Sequence, residues 1–209
     1  EYKKLYPDNY HGKNLDWPDY GKNEYGEAAT RHVRYEYASL MSMCDHYLGK
    51  VLDMMDRYDL WKDTMLIVNT DHGFMLGEKD WMGKNVQPMY EELIHIPFFI
   101  YDPRNPIQGE RRNQLAQTID IVPTLAEFFQ IAPPEYMDGH SLTPVIRNDT
   151  PIRDYALFGI FGGHICITDG RYVYMRSCKD PENQPLYEYT AMPCHMAVSY
   201  THLTLPTIL

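Results

Sequence analysis

The sequence has 209 residues and a mass of 24.6 kDa, which suits one ordinary domain or a large part of a bigger one. Hydrophobic residues make up 44% and aromatic residues 13%, which is enough to build a core and excludes a disordered chain. The 19 basic and 29 acidic side chains give a net charge of −10, which argues against sequence-independent binding of nucleic acid. No apolar run approaches the roughly 18 to 20 residues of a membrane span. The opening residues show neither an initiator Met nor a signal-peptide pattern, so we expect a fragment.

The first predicted regular element is a long amphipathic helix. Residues 1–25 are rich in turn-forming residues and predict an ordered but irregular lead-in. From Ala28 to Tyr58, apolar residues recur at the three- and four-residue steps of one helix face. This face consists of Val33, Tyr37, Leu40, Met41, Cys44, Leu48, Val51, Leu52 and Met55. Cys44 is therefore predicted to be a small buried apolar group.

Two strands are predicted to follow the helix, separated by a polar segment. The apolar run Met65–Thr70 predicts a buried strand, and Pro97–Tyr101 predicts a second one that begins at a proline. The segment from Asp71 to His95 is predicted to be a loop of about 25 residues. Structureless loops of that length are uncommon in compact domains and are usually functional.

The second half of the sequence predicts a helix and then a group of short strands. The helical period returns over Ile119–Gln130, with Thr118 as its cap, and a joint rich in proline and glycine follows. The alternating runs after Pro151 predict strands at Ala156–Phe161, His164–Thr168 and Arg171–Met175. Asp169-Gly170 between the last two is typical of a hairpin turn. The order of elements predicts an α/β layer followed by a small antiparallel α+β part.

The end of the chain and the cysteines add little to this picture. No charged residue follows Glu188, and the last twelve residues resemble the translated read-through of a sequencing-library adapter. We therefore expect residues 197–209 to be a non-native tail. The four cysteines form no CxxC pair, which excludes a zinc ribbon, and a disulfide among the last three stays open.

The strongest candidate site follows the first predicted strand. Asp71, His72 and Gly73 lie at its carboxyl end, where ligands bind in open α/β sheets. Asp71 offers oxygen ligands and His72 a nitrogen ligand for a metal ion. On spacing alone, the alternative is a simple turn in which Gly73 supplies a positive φ.

A second candidate is Lys84, which follows Gly83 in the same loop. Five residues separate Gly77 from Gly83, and Asn85 follows the lysine, so the pattern does not fit a phosphate-binding P-loop. Taken alone, a solvated surface lysine is the alternative to a function for Lys84.

Taken together, these segments resemble the second half of a type I sulfatase, a formylglycine-dependent family of the alkaline phosphatase superfamily. The resemblance covers residues 25–176 in order. It is carried by TDHGFMLGEKDWMGK at 70–84, YEELIHIPFFIY at 90–101, IDIVPTLA at 119–126 and DGHSL at 138–142.

The resemblance implies specific roles for these residues. Asp71 and His72 would be ligands of a divalent cation, calcium foremost, with Mg²⁺, Mn²⁺ and Zn²⁺ as alternatives. Lys84 would be catalytic and would grip the sulfate. Lys79 occupies a position where the family often has a histidine, and together with His95 it is a candidate substrate contact. The alternatives are a solvated lysine and a structural histidine at a strand start.

The nucleophile of this family is not in the sequence. Its motif is Cys-x-Pro-x-Arg or Ser-x-Pro-x-Arg, whose first residue becomes formylglycine, and no cysteine of this chain precedes x-Pro-x-Arg. The acidic pair that completes the metal shell is also absent. The resemblance therefore implies that the nucleophile half of the site lies outside this chain and that this chain alone is inactive.

These observations predict an alkaline-phosphatase-like α/β sandwich, present in part. Residues 1–150 would be the carboxyl-terminal part of the catalytic α/β domain, and residues 151–196 a partial small antiparallel subdomain. The expected function is that of a sulfuric ester hydrolase acting on a sulfated small molecule or sulfated glycan, and the resemblance favours a periplasmic or secreted enzyme. The alternatives are a phosphonate monoester or phosphodiester hydrolase of the same superfamily, and a noncatalytic fragment or binding module.

Overall fold

The structure is a computed structural model that describes residues 1–180 and 182–184. Its helices are α1 (Glu27–Arg57), α2 (Glu91–Ile94), α3 (Ile121–Phe128) and α4 (Thr143–Asn148). Its strands are β1 (Gly21–Lys22), β2 (Leu66–Asn69), β3 (Met75–Leu76), β4 (Trp81–Gly83), β5 (Phe98–Tyr101), β6 (Ala156–Gly159), β7 (Ile165–Thr168) and β8 (Val173–Arg176). Short 3-10 turns cover Tyr2–Leu5, Leu60–Lys62, Glu78–Asp80 and Thr118–Asp120. No helix in these residues is long and apolar enough to cross a membrane.

The strands form antiparallel sheets that agree with the α/β and α+β prediction. The first sheet has the order β1-β4-β3, the second pairs β2 with β5, and the third has the order β6-β7-β8. The predicted turn between β7 and β8 is confirmed. Gly170 has a φ of 85°, and the Asp169 carboxylate accepts hydrogen bonds from the backbone N–H of Arg171 and Tyr172.

Helix α1 is confirmed, but most of its apolar face is exposed or half-buried. Val33 and Met55 are buried, whereas Leu40 is 56% exposed and Met41 53% exposed. Cys44 is exposed, which contradicts its predicted burial. The first two 3-10 turns and β3 contact α1 but leave Leu40, Met41 and Cys44 exposed. Strand β2 is likewise half-buried rather than buried.

The prediction of an unstructured loop over 71–95 is also wrong. This segment contains β3, β4 and the short helix α2, and β4 pairs both with β3 and with β1 from the lead-in. Strands of two or three residues are too short to show a period, which explains why the pattern did not reveal them. The segment is therefore built from short paired strands and a helix and is not an irregular loop.

The region from Gln117 to β6 differs from the prediction in two details. Thr118 does not cap a helix but begins a 3-10 turn, and the backbone N–H of Gln117 donates to the Asp120 carboxylate at 2.7 Å. The joint rich in proline and glycine contains α4, a helix that was not predicted. Pro144 lies in its first turn, where a missing N–H costs nothing.

Small apolar clusters hold the elements together. One consists of Met75, Met89, Leu93 and Cys166, so it joins the segment around α2 to the central strand of the third sheet. Another consists of Leu15, Val33 and Met82, and it joins the lead-in and α1 to β4. Strands β3 and β4 thus each pack into an apolar cluster. This packing fixes the positions of the residues that flank them. Cys194 and the predicted tail at 197–209 lie outside the described residues.

Candidate functional site

Asp71 lies just beyond the end of β2 and presents its carboxylate to solvent. Its side chain is 83% exposed, and Oδ1 accepts hydrogen bonds from the backbone N–H of His72 at 3.0 Å and from the Thr70 hydroxyl at 3.3 Å. Desolvation raises the pKa of this carboxyl, but the nearby His72 and the hydrogen bonds outweigh it and leave the pKa below its usual range. Asp71 is therefore ionised at neutral pH and can serve as a cation ligand.

His72 is held in an orientation that suits a metal ligand. Its Nδ1 lies 2.8 Å from the carbonyl oxygen of Gly73, and because a carbonyl can only accept, this contact assigns the proton to Nδ1. Nε2 lies on the other side of the ring, 3.2 Å from Oδ2 of Asp71. Metal-binding histidines commonly use one nitrogen for such an orienting bond and the other for the ion.

Gly73 is required by a close backbone contact. Its N–H donates to the carbonyl of Leu93 at 2.8 Å, and a Cβ at this position would lie 1.8 Å from the carbonyl oxygen of Glu92. The φ of Gly73 is not positive. The alternative of a simple turn in which Gly73 supplies a positive φ is therefore wrong. The glycine allows α2 to pack directly against the Asp71-His72 pair.

Lys84 comes together with His72 at the end of β4. Its Nζ donates to Nε2 of His72, so Lys84, His72 and Asp71 meet at one point. The lysine is presented by Gly83, which has a φ of 88°, and by the buried side chain of Gln87, whose Nε2 donates to the Gly83 carbonyl at 2.7 Å. Gln87 could not be predicted from the sequence, because no spacing distinguishes it from other polar residues of this segment.

The other two candidates lie apart from this meeting point. Lys79 forms an ion pair with Glu92 and lies 4.9 Å above the ring of Tyr90. His95 ends α2 and is mostly exposed, with Nδ1 2.7 Å from the Glu91 carboxylate. The hydrogen bonds of the described residues connect neither of them to Asp71, His72 or Lys84.

The described residues offer two neighbouring side chains that could bind a metal ion. Within residues 1–180 and 182–184, no group of three or more His, Cys, Asp and Glu side chains could hold an ion. Asp71 and His72 alone offer one carboxylate and one imidazole nitrogen that can face the same cation. This donor set fits a divalent ion whose remaining ligands come from elsewhere.

Two family models match this chain. The family model described as "Sulfatase" matches residues 1–131, which include Asp71, His72 and Lys84. The chain belongs to the sulfatase family. A second model, described as "N-sulphoglucosamine sulphohydrolase, C-terminal", matches residues 77–208 of this sulfatase chain.

Individual sulfatases and related hydrolases are similar to this chain. An arylsulfatase of Clostridium perfringens is 32% identical over 149 residues, which cover 67% of this chain and 30% of the relative. A choline-sulfatase of Rhizobium meliloti is 27% identical over 85% of this chain and 35% of its own length. The sulfatase chain thus spans about a third of the length of these relatives.

Solved structures confirm the alkaline-phosphatase-like fold of the family. A protein in complex with its substrate D-glucosamine-2-N,6-O-disulfate superposes with a TM-score of 0.65 at 22% identity, over 75% of this chain and 34% of that one. A phosphonate monoester hydrolase from Silicibacter pomeroyi superposes with a TM-score of 0.63 at 23% identity, over 78% of this chain and 35% of that one.

Proposed function

We propose that the protein containing this chain hydrolyses sulfuric esters, and that Asp71, His72 and Lys84 are part of its active site. The observation that carries this proposal is the meeting of Lys84 Nζ with His72 Nε2 beside the Asp71 carboxylate. A negatively charged ester needs cationic groups fixed at one point, and here a lysine and two potential cation ligands share that point.

Asp71 and His72 would hold the divalent cation. When bound, this ion would stabilise negative charge that develops on the ester oxygens during cleavage. Calcium suits the Asp71 oxygens, whereas the His72 nitrogen is also suitable for manganese or zinc. The remaining ligands and the formylglycine nucleophile would come from parts of the protein outside this chain, since the sequence holds neither motif.

Lys84 would bind the sulfate group. Its ammonium is a compact point charge with three donors, which can follow the oxygens of a tetrahedral group as charge builds up on them. With Nε2 of His72 engaged by a cation, all three donors of Lys84 become available to the substrate. The buried bond from Gln87 to the Gly83 carbonyl would keep the lysine backbone in place.

Sulfated small molecules or sulfated glycans are the proposed substrates. The names of relatives support this class, among them a choline-sulfatase, an N-acetylglucosamine-6-O-sulfatase and an ulvan-active sulfatase. A second candidate is a phosphonate monoester or phosphodiester hydrolase, favoured by the structural likeness to phosphonate monoester hydrolases. Lys84 does not separate the two, because both groups present oxygens to a point charge.

Activity of the full-length protein distinguishes these candidates. We expect 4-nitrophenyl sulfate to be hydrolysed faster than 4-nitrophenyl phenylphosphonate or bis-4-nitrophenyl phosphate, and Asp71→Ala to abolish the sulfatase reaction. Faster hydrolysis of the phosphonate would favour the second candidate. No turnover of any ester by the full-length protein, with formylglycine verified by mass spectrometry, would favour a noncatalytic protein.

A further inference from the structure

We propose that Trp17 and Tyr20 form a stacking surface for the ring of a ring-bearing sulfate ester whose sulfate is held by Lys84. This inference rests on the proposed function of the same site and adds to it a class of substrate. The ring is either a pyranose sugar or an aryl group, because both present a flat apolar face. Acyclic alkyl sulfates would lack this contact.

Tyr20 touches both segments that supply the candidate site. Its ring lies against Gly83, so closely that a Cβ on this glycine would be 2.3 Å from Cδ1 of the tyrosine. It also packs edge-on against Phe74, with ring centroids 5.6 Å apart. Gly83 directly precedes Lys84, and Phe74 is the second residue after His72. Tyr20 therefore packs against one residue from each of the two segments that carry Lys84 and His72.

Trp17 extends this aromatic surface toward solvent. Its ring stacks on Tyr20, with centroids 6.0 Å apart and ring planes 18° from parallel. The indole is nonetheless 80% exposed. A large aromatic side chain that is stacked on one side and open on the other is suited to receive another flat group.

The backbone that carries Trp17 is anchored on both sides. Leu15 is 2% exposed and belongs to the apolar cluster with Val33 and Met82, and Pro18 is buried. The exposed indole thus stands on a fixed segment and not on a free end. A fixed aromatic surface loses little conformational entropy when a ligand binds, which favours a specific role over chance exposure.

The sulfate group and the ring of the substrate would then be recognised by different kinds of interaction. Lys84 and the cation would attract the sulfate by charge, whereas Trp17 and Tyr20 would contact the ring through dispersion and burial of apolar area. Charge alone cannot distinguish one sulfate ester from another. The aromatic pair would therefore determine which sulfated molecules bind well.

The experiment compares ring-bearing and acyclic substrates in the full-length enzyme. The ring-bearing substrates are 4-nitrophenyl sulfate and glucosamine 6-sulfate, and the acyclic ones are choline sulfate and ethyl sulfate. We expect Trp17→Ala to raise KM for one or both ring-bearing substrates roughly tenfold, with little change in kcat, because one aromatic contact is lost. Trp17→Phe should keep most of the affinity. Which of the two substrates responds identifies the ring.

Controls separate stacking from folding. Tyr136→Ala removes an equally exposed aromatic side chain, 87% exposed, from the segment between α3 and α4 and should leave KM unchanged. If Trp17→Ala unfolds, Trp17→Leu keeps apolar volume without a ring. The proposal is overturned if Trp17→Ala or Trp17→Leu affects acyclic and ring-bearing substrates equally, as expected if another part of the protein covers Trp17, or if neither class responds.

If the proposed function is wrong, the result would differ from that of a wrong stacking proposal. In that case the wild-type protein would hydrolyse no sulfate ester. Calorimetry with 4-nitrophenyl sulfate and with ethyl sulfate would still test the stacking surface through binding alone. Tighter binding of the ring-bearing sulfate that is lost in Trp17→Ala would support the inference, and equal binding of the two would contradict it.

Discussion

Lys84 and His72 contact each other through Nζ and Nε2, although they are twelve residues apart in the sequence. The β3–β4 pairing produces this contact, because Met75 lies opposite Gly83 and the residues next to them are carried to the same edge. The hairpin thus places the Lys84 ammonium against the His72 imidazole. If this edge is a functional site, the activity of the enzyme should depend on Lys84.

We expect Lys84→Ala in the full-length enzyme to lower kcat/KM at least roughly a hundredfold, on the order of 3 kcal/mol. This is the scale of losing one preorganised donor that stabilises charge in the transition state. Lys84→Arg should not restore activity, because the planar guanidinium of arginine cannot occupy the space of the compact lysine ammonium without displacing the substrate. Initial rates on 4-nitrophenyl sulfate measure both effects.

Lys79→Ala is the matched control for this lysine. Because Lys79 is paired with Glu92, its loss should cost clearly less activity than the loss of Lys84. Urea unfolding should show a change of only about 0.5 kcal/mol or less for either variant. A large loss of activity in Lys79→Ala with near-normal activity in Lys84→Ala would mean that the wrong lysine is assigned.

The 209-residue chain on its own should bind calcium weakly, with a dissociation constant well above micromolar. Calcium takes six to eight oxygen ligands, and Asp71 and His72 cannot enclose it. Isothermal titration calorimetry measures this binding, and Asp71→Ala should remove what remains of it. Asp63→Ala, at another exposed aspartate, is the control. Micromolar or tighter binding that survives Asp71→Ala would place the metal site elsewhere.

The same chain, purified alone, should not hydrolyse aryl sulfates. Covalent catalysis requires an activated nucleophile, and no cysteine or serine of this sequence begins the x-Pro-x-Arg motif. A sensitive fluorogenic aryl sulfate provides the measurement. Turnover that co-purifies with the chain and disappears in Lys84→Ala would refute this expectation.

Local patterns in the sequence predicted the longer elements well. The period of α1 extends over many residues, and the turn at Asp169-Gly170 depends on backbone chemistry that two residues determine. Periodicity shows which face of a helix is apolar but not what covers it. The exposure of Leu40 and Cys44 could therefore not be foreseen.

The candidate site was predicted only in part, for a related reason. Asp71 and His72 follow a recognisable strand, so their placement could be derived from the residues. The approach of Lys84 depends on the register of two very short strands, and only the family resemblance suggested it. The hydrogen bond of Gln87 and the contact of Glu92 with Gly73 depend on tertiary packing. The spacing of residues in the sequence therefore does not predict them.

Stability in acid should depend on Asp102, which is buried and accepts hydrogen bonds from the Arg104 guanidinium at 2.7 to 3.1 Å. Burial raises the pKa of this carboxyl, but the bonds from Arg104 outweigh it and hold the pKa below its usual range. The stabilisation is therefore present above the unfolded pKa of about 3.9 and is lost as pH falls through the lower folded pKa.

Urea unfolding of the chain between pH 7 and about pH 2 measures this dependence. We expect Asp102→Asn to be less stable at pH 7 and to show a flatter decline in acid than the wild type. Asp63→Asn, at an exposed aspartate, should follow the wild-type curve. Parallel curves for Asp102→Asn and wild type would show that other carboxylates dominate the acid response.

The ion pair between Arg153 and Asp120 should be the most costly to break among those described here. Asp120 is 0% exposed and Arg153 8% exposed, and Asp120 also accepts backbone hydrogen bonds from Gln117 at 2.7 Å and His140 at 2.9 Å. Arg153→Ala leaves a buried carboxylate without its counter-charge, so we expect a loss of about 3–5 kcal/mol in the free energy of unfolding. Lys62→Ala is the control, because Lys62 pairs with Asp59 at the surface and should contribute about 0.2–1 kcal/mol. Urea titration compares the two variants, and similar small losses in both would show that Asp120 is reached by water after the arginine is removed.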